Sequence, residues 1–155
     1  GNDQIILATT QGQAIRFKEK DIQVMGRNAA GVKAIRLKGG DVLAGLDIIK
    51  ADGEKNQNLL VVTANGFAKQ TPLKEYKIQR RGGSGIKTSK ITPKTGALIT
   101  IQLISPEIQN ILAFSIKGQA LRTELKNIRV AGRATQGVKI MNLEKDDKLI
   151  GITCL

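Results

Sequence analysis

Histidine and tryptophan are missing from this sequence of 155 residues, and cysteine occurs once, at Cys154. With no histidine and a single thiol, a Cys/His zinc site cannot form within the chain. A Ser-His or Cys-His nucleophile pair is excluded for the same reason, and so is an internal disulfide, which suits a reducing compartment. Aromatic side chains are scarce: Phe17, Phe67, Tyr76 and Phe114 complete the set. Proteins that read single-stranded nucleic acid stack bases on such rings, so an RNA-binding module would have little to stack with. No segment approaches the ~18 consecutive apolar residues of a membrane helix, and no membrane partner is expected. The opening Gly1-Asn2-Asp3-Gln4 is not a basic segment leading into an apolar one, so no secretory signal is expected. Acidic residues are the other shortage: 13 Asp and Glu face 25 Lys and Arg, a net charge of +12. Apolar residues at 41% and charged residues at 25% are enough to bury a core, and the length is that of one domain.

What is present is a repeat. Ile5-Ile6-Leu7-Ala8-Thr9-Thr10-Gln11-Gly12, Leu59-Leu60-Val61-Val62-Thr63-Ala64-Asn65-Gly66 and Ile111-Leu112-Ala113-Phe114-Ser115-Ile116-Lys117-Gly118 begin alike, and their glycines lie 54 and then 52 residues apart. Nineteen residues beyond each glycine stand Gly31, Gly85 and Gly137. Two glycine columns with one internal spacing indicate one structural unit used three times, over about 1–53, 54–107 and 108–155.

Within a unit the pattern is that of strands. Ile5 to Thr10 is a short apolar run ended by the turn signal Gln11-Gly12, and Gln13 to Lys18 alternates. Ile22, Val24 and Gly26 keep a period of two, Val32 to Leu37 alternates again, and Gly39-Gly40-Asp41 turns the chain into the apolar run Val42 to Ile49. No window carries a convincing 3.6-residue period. Twenty Ile, seven Val and eleven Thr favour pleated, half-buried surfaces. Units of this length with about four strands each predict an all-β, propeller-like fold. Propellers close with about 4–8 blades, so three units predict an open arc, either part of a longer chain or completed by a second copy.

The positive charge follows the repeat. The three units carry net charges of +2, +6 and +4. Eight residues after the first glycine of each unit come Lys20, Lys74 and Lys126; fifteen after come Arg27, Arg81 and Arg133; twenty-one after come Lys33, Lys87 and Lys139. A fourth column, Arg36, Lys90 and Asn142, is incomplete, as is Arg16, Gln70 and Arg122 four residues after the glycine. Acids do not recur in this way: Asp21 and Glu75 are followed by Asn127. Equivalent positions of successive blades share a part of the surface, so the columns predict a cationic stripe, and a duplex is a linear array of negative charge. A solvated charged surface, or a surface for an acidic protein partner, is the competing explanation.

Between the Arg column and the second glycine column lie Asn28-Ala29-Ala30, Gly82-Gly83-Ser84 and Ala134-Thr135-Gln136. Gly31, Gly85 and Gly137 are expected to serve a tight loop between strands. Arg80, Arg81, Gly82 and Gly83 are expected to do more, because exposed backbone N–H groups beside guanidinium forks make a phosphate cradle.

Gln79-Arg80-Arg81-Gly82-Gly83-Ser84-Gly85 resembles the Gln-Arg-Arg-Gly-Gly-Lys-Gly box of the C-terminal domain family of bacterial DNA gyrase A, with Ser84 in place of the usual Lys. Val24-Met25-Gly26-Arg27-Asn28-Ala29-Ala30-Gly31-Val32 and Val130-Ala131-Gly132-Arg133-Ala134-Thr135-Gln136-Gly137-Val138 resemble other blades of that family, so the likeness spans the chain. It implies a β-pinwheel whose blades exchange strands, of which three would be present where the family commonly has six. It implies duplex DNA wrapped around the rim with positive handedness, in support of ATP-dependent negative supercoiling, with the box required for wrapping. The implied partners are double-stranded DNA, the remainder of gyrase A, and gyrase B, in the bacterial cytoplasm at the nucleoid; a topoisomerase IV C-terminal domain is the related alternative.

No catalytic residue, metal site or cofactor is expected. Topoisomerases cut DNA with a tyrosine, but Tyr76 occupies the position of Ile22 and Ile128, an apolar strand face. Cys154 is expected to be a small buried side chain in the last strand, and Asp146-Asp147 to form a turn between strands.

Overall fold

The computed structural model describes residues 1–53 and 56–155. Each unit starts with an antiparallel hairpin: β1 (Gln4–Thr9) with β2 (Gln13–Lys18), β4 (Asn58–Thr63) with β5 (Phe67–Pro72), and β8 (Asn110–Ser115) with β9 (Ala120–Glu124). The first glycine of each unit makes the hairpin turn, at φ of +82° to +85° in Gly12, Gly66 and Gly118, a region other residues enter at a cost. The second strand runs into a short 3-10 turn, Glu19–Asp21, Leu73–Glu75 or Leu125–Asn127. A long connection then leads to an inner strand, β3 (Leu43–Ile49), β7 (Leu98–Ile104) or β11 (Leu149–Cys154), which pairs with the other edge of the hairpin.

Two further strands, β6 (Ile86–Lys87) and β10 (Val138–Lys139), lie in those connections and pair outside their own units. The sheet orders are β3-β1-β2-β6, β10-β5-β4-β7 and β11-β8-β9. Lys87 is thus opposite Gln13, and Lys139 opposite Phe67, at one and the same register. Each of the first two sheets takes its fourth strand from the next unit; the architecture is the all-β propeller-like arc that the repeat predicts, with the strand exchange that the family resemblance implies.

The core lies between sheets. One cluster joins Ile6, Ala8, Leu59, Val61, Tyr76, Leu98 and Ile101; a second joins Leu60, Val62, Ile111, Ala113, Ile128 and Leu149. β4 is sandwiched between the two, so Leu59 to Thr63 is buried without interruption. β8 has a neighbour on one face only, and its burial alternates as far as the exposed Phe114. Complete burial of one such aliphatic side chain is worth roughly 1.5–3 kcal/mol. β3 packs on β7, and β7 on β11, so these three strands line the inner side of the arc. Gly45 of β3 allows this approach, since a Cβ there would stand 2.9 Å from the Ile101 backbone nitrogen.

One expectation fails locally. Residues 22–42 contain no strand, although Ile22 to Gly26 and Val32 to Leu37 have strand periodicity. Their counterparts in the second and third units are ordered by the preceding sheet, through β6, β10 and parallel bridges at Ile78 and Val130. Residues 22–34 meet no such edge among the described residues, and Val24 is fully exposed.

Candidate nucleic-acid interface

The three complete cationic columns, with Arg36 and Lys90, fall in the connections between the second strand of a unit and its inner strand, whereas Arg16 and Arg122 lie in the second strands β2 and β9. Lys20, Lys74 and Lys126 sit on the 3-10 turns, and all three are exposed. Lys87 and Lys139 occupy β6 and β10, at the edge of the sheet opposite the inner strand, and are exposed with Lys33. Arg27, Arg36, Arg80 and Lys90 are exposed as well. Lys139 lies 5.9 Å from the centre of the Phe67 ring and Lys94 lies 5.6 Å from it, so two ammonium groups share one aromatic ring at the second junction. Ion pairs among the described residues join the Gly1 amino group to Glu19, Lys50 to Asp3, Lys117 to Glu144 and Lys126 to Glu124. Of the column cations, only Lys126 has a carboxylate in range among the described residues, and that pair is solvent-exposed and weak.

The Gln79–Gly85 loop is held against the first unit. Gln79 N–H donates to the Arg16 carbonyl at 2.7 Å, Gly82 N–H to the Ala34 carbonyl at 2.7 Å, and Arg36 N–H donates back to the Gly83 carbonyl at 2.8 Å. Gly82 and Gly85 have φ of +81° and +72°. A Cβ on Gly85 would lie 2.5 Å from the Ala14 carbonyl oxygen, and one on Gly137 would collide with the equivalent Ala68 oxygen. These second-column glycines therefore serve close strand approach, and at Gly31 a Cβ would meet nothing within 4 Å. The cradle is narrower than expected, because the Gly82 N–H is already engaged; Arg80 and Ser84 are the exposed side chains of the loop.

The arginine column behaves differently from the lysine columns. Arg81 donates from Nε to the Asp21 carbonyl at 3.0 Å and from Nη1 to the Lys33 carbonyl at 2.6 Å. Arg133 donates from Nη1 to the Lys87 carbonyl at 2.9 Å, and its backbone N–H donates to the Glu75 carboxylate at 3.2 Å. The column four residues after the first glycine points the other way. Arg16 Nη1 donates to the carbonyls of Leu73 and Tyr76, at 3.1 and 3.0 Å, and Gln70 Nε2 to those of Leu125 and Ile128, at 3.1 and 2.9 Å.

Lys69 escaped sequence reasoning, as did the hydrogen bonding of the two turn aspartates. Lys69 is 1% exposed, and its Nζ donates to the Gly132 and Arg133 carbonyls at 2.8 and 2.7 Å and to the Thr135 hydroxyl at 3.3 Å. Burial pulls its pKa down to about 8, against the favourable field of Glu75 and together with the unfavourable field of Arg133. A signal was available: Lys69 interrupts a column whose other members are Ile15 and Leu121. Asp41 and Asp147 recur in the turn before the inner strand. Asp41 accepts from the Thr10 hydroxyl and the Gln11 and Val42 amides, and Asp147 from the Lys117 and Lys148 amides. Burial alone would raise the Asp41 carboxyl, but its donors outweigh it and hold the group below its ordinary range.

Tyr76 is 1% exposed, hydrogen-bonded to the Thr88 hydroxyl at 2.6 Å, and burial pushes its phenol above the usual range. It is a packing residue. Cys154 is half-buried in β11, less enclosed than expected because the last sheet has one covered face. Among the described residues no cluster of acids and cysteine has metal-ligand geometry, and no helix is long and apolar enough to cross a membrane.

The family model described as DNA gyrase C-terminal domain, beta-propeller, matches residues 3–50, 57–105 and 109–155. The DNA gyrase A protein of Staphylococcus epidermidis is 41% identical over 143 residues, which is 92% of this chain and 16% of that protein. The chain thus spans about a sixth of the length of this curated relative. Among solved structures, a DNA gyrase A C-terminal domain superposes with a TM-score of 0.89 at 26% identity, covering 99% of this chain and 50% of the other. A DNA topoisomerase IV C-terminal domain superposes with a TM-score of 0.90 at 22% identity, covering 100% of this chain and 47% of the other, a likeness of fold.

Proposed function

This chain belongs to the DNA gyrase C-terminal domain family, and from that premise we propose that it binds duplex DNA along its outer edge and bends it, as a non-catalytic wrapping element of gyrase A. The observation that carries this reading is the recurrence, at one register position per unit, of exposed lysines without a carboxylate partner among the described residues: Lys33, Lys87 and Lys139, flanked by Lys20 and Lys74. Arg80 and Ser84 at the tip of the box loop, and Arg27, Arg36 and Lys90 beside it, extend the same edge.

Bending a site of 20–30 base pairs by 40–90° costs roughly 1–6 kcal/mol, and phosphate contacts repeated from unit to unit offset that cost. Lysine and arginine on phosphates read no base edges, so sequence preference is weak. Wrapped DNA is then presented to the catalytic parts of gyrase A and gyrase B, which supply strand passage and ATP hydrolysis in the cytoplasm. A pairing of two copies of the arc would lengthen the track.

The test is a salt titration of duplex binding combined with a bending assay on duplexes of several lengths. With about six to nine phosphate contacts, log K falls against log salt with a slope of roughly −5 to −8. A slope shallower than about −2 removes the extended track. Tight capture of an acidic protein, with loose and unbent association with DNA, would move the function to protein recognition.

A further inference from the structure

We infer that Arg81 and Arg133 are positioning residues: each locks its unit to the backbone of the unit before it, and so sets the spacing at which the edge lysines meet DNA. The inference rests on the DNA-track reading for its consequence, while its structural half stands without DNA.

Five observations converge. The two arginines occupy one register position and make the same bond, Nη1 to the carbonyl of the residue 48 or 46 positions earlier, Lys33 or Lys87. Those acceptors belong to the lysine column itself, so one guanidinium holds the backbone of one edge lysine at each junction. The bond is answered from the other side, where Arg16 and Gln70 reach forward to the 3-10 turn of the next unit. Backbone pairs between Arg36 and Gly83, and between Lys90 and Thr135, then fix the same loop. Arg27, in the same column, is exposed and has no hydrogen bond to a carbonyl among the described residues, which include no unit packed beneath it.

The chemistry separates this role from phosphate binding. A phosphate contact needs positive charge, which lysine also supplies. A single ammonium serves two carbonyls only where both converge on one nitrogen, as Gly132 and Arg133 do on Lys69, whereas Nε and Nη1 of one guanidinium reach two separate acceptors. Arg81 uses both donors, at 3.0 and 2.6 Å, whereas Arg133 donates from Nη1 alone and its Nε is buried without a partner among the described residues. Charge-preserving substitutions therefore discriminate between the two.

Spin labels on K20C and K74C report the first junction, and labels on K74C and K126C the second, in a C154S background and without DNA. R81K is expected to broaden the distance distribution for 20–74 and leave 74–126 narrow, and R133K to do the reverse; R27K is expected to alter neither. In otherwise unmodified chains, R81K and R133K are expected to lower the melting temperature by about 3 °C or more. On DNA they reduce bending while the salt slope changes by less than about 0.5, since no phosphate contact is lost. Narrow distributions in both lysine variants overturn the inference. So does a slope that shrinks by about 0.9 in R81Q and is restored in R81K, which would make Arg81 a phosphate ligand. Failure of the wild-type chain to bend DNA would remove the track but leave the label distances to decide the junction.

Discussion

Residues 22–36 and 76–90 hold the same place in successive units and end in different states. Tyr76 is 1% exposed and Ile22 37% exposed; Ile86 and Lys87 form a strand on β2, whereas Val32 and Lys33 join no strand among the described residues. The local signals are alike, with alternating apolar residues and a glycine at positive φ in each, +78° at Gly31 and +72° at Gly85. What differs is the sheet alongside. A fourth strand in this fold is a property of a junction, and the segment that will form it has few means of ordering itself alone.

The sharpest way to break the comparison is to truncate the paired residues. Tyr76→Ala is expected to cost about 3–5 kcal/mol in urea unfolding, because it empties a buried site, and Ile22→Ala less than about 1 kcal/mol. Equal losses would mean that residues 22–36 are packed as tightly as their counterparts. Next come the glycines. Gly85→Ala combines left-handed strain with the Ala14 carbonyl and is expected to cost roughly 3 kcal/mol, against about 1 kcal/mol for Gly31→Ala, where strain acts alone.

The two occupied junctions can then be set against each other through Lys69, whose counterpart is Ile15. Folding lowers the Lys69 pKa to about 8 from an ordinary 10.5, so above pH 8 the unfolded chain binds more protons than the folded one. Stability conferred by losing that proton is absent at neutral pH and grows between about pH 8 and 10.5. The difference in unfolding free energy between wild type and Lys69→Met, followed from pH 7 to 10.5, is expected to widen in favour of wild type; a constant difference would show that Lys69 does not titrate in that window. The smallest effect is electrostatic. Lys33→Gln and Lys87→Gln are each expected to make the salt slope of DNA binding shallower by about 0.9, and Lys117→Gln, paired with Glu144, to leave it unchanged. A matching loss in all three would reduce the columns to a general charge effect.

Much of this was readable in the chain. Glycine columns and apolar runs announced the hairpins and their turns, because one fold used three times must satisfy the same turns and faces three times. The box residues Gln79 to Gly85 could be found from their spacing and likeness. The engagement of Arg81 and Arg133 with carbonyls could not, since the acceptors are backbone atoms of Lys33 and Lys87, present at every residue and silent in a pattern of side chains. Lys69 was hidden for a related reason: its Gly132 and Arg133 acceptors lie 63 and 64 residues away.

Hairpins, turns, repeat length and net charge follow from the sequence alone, because they depend on residues a few positions apart or on simple sums. Which segment becomes a fourth strand, which cations are bound to backbone and which face solvent, were decided only when one unit packed on the next. Those outcomes depend on an edge or a carbonyl that another unit supplies.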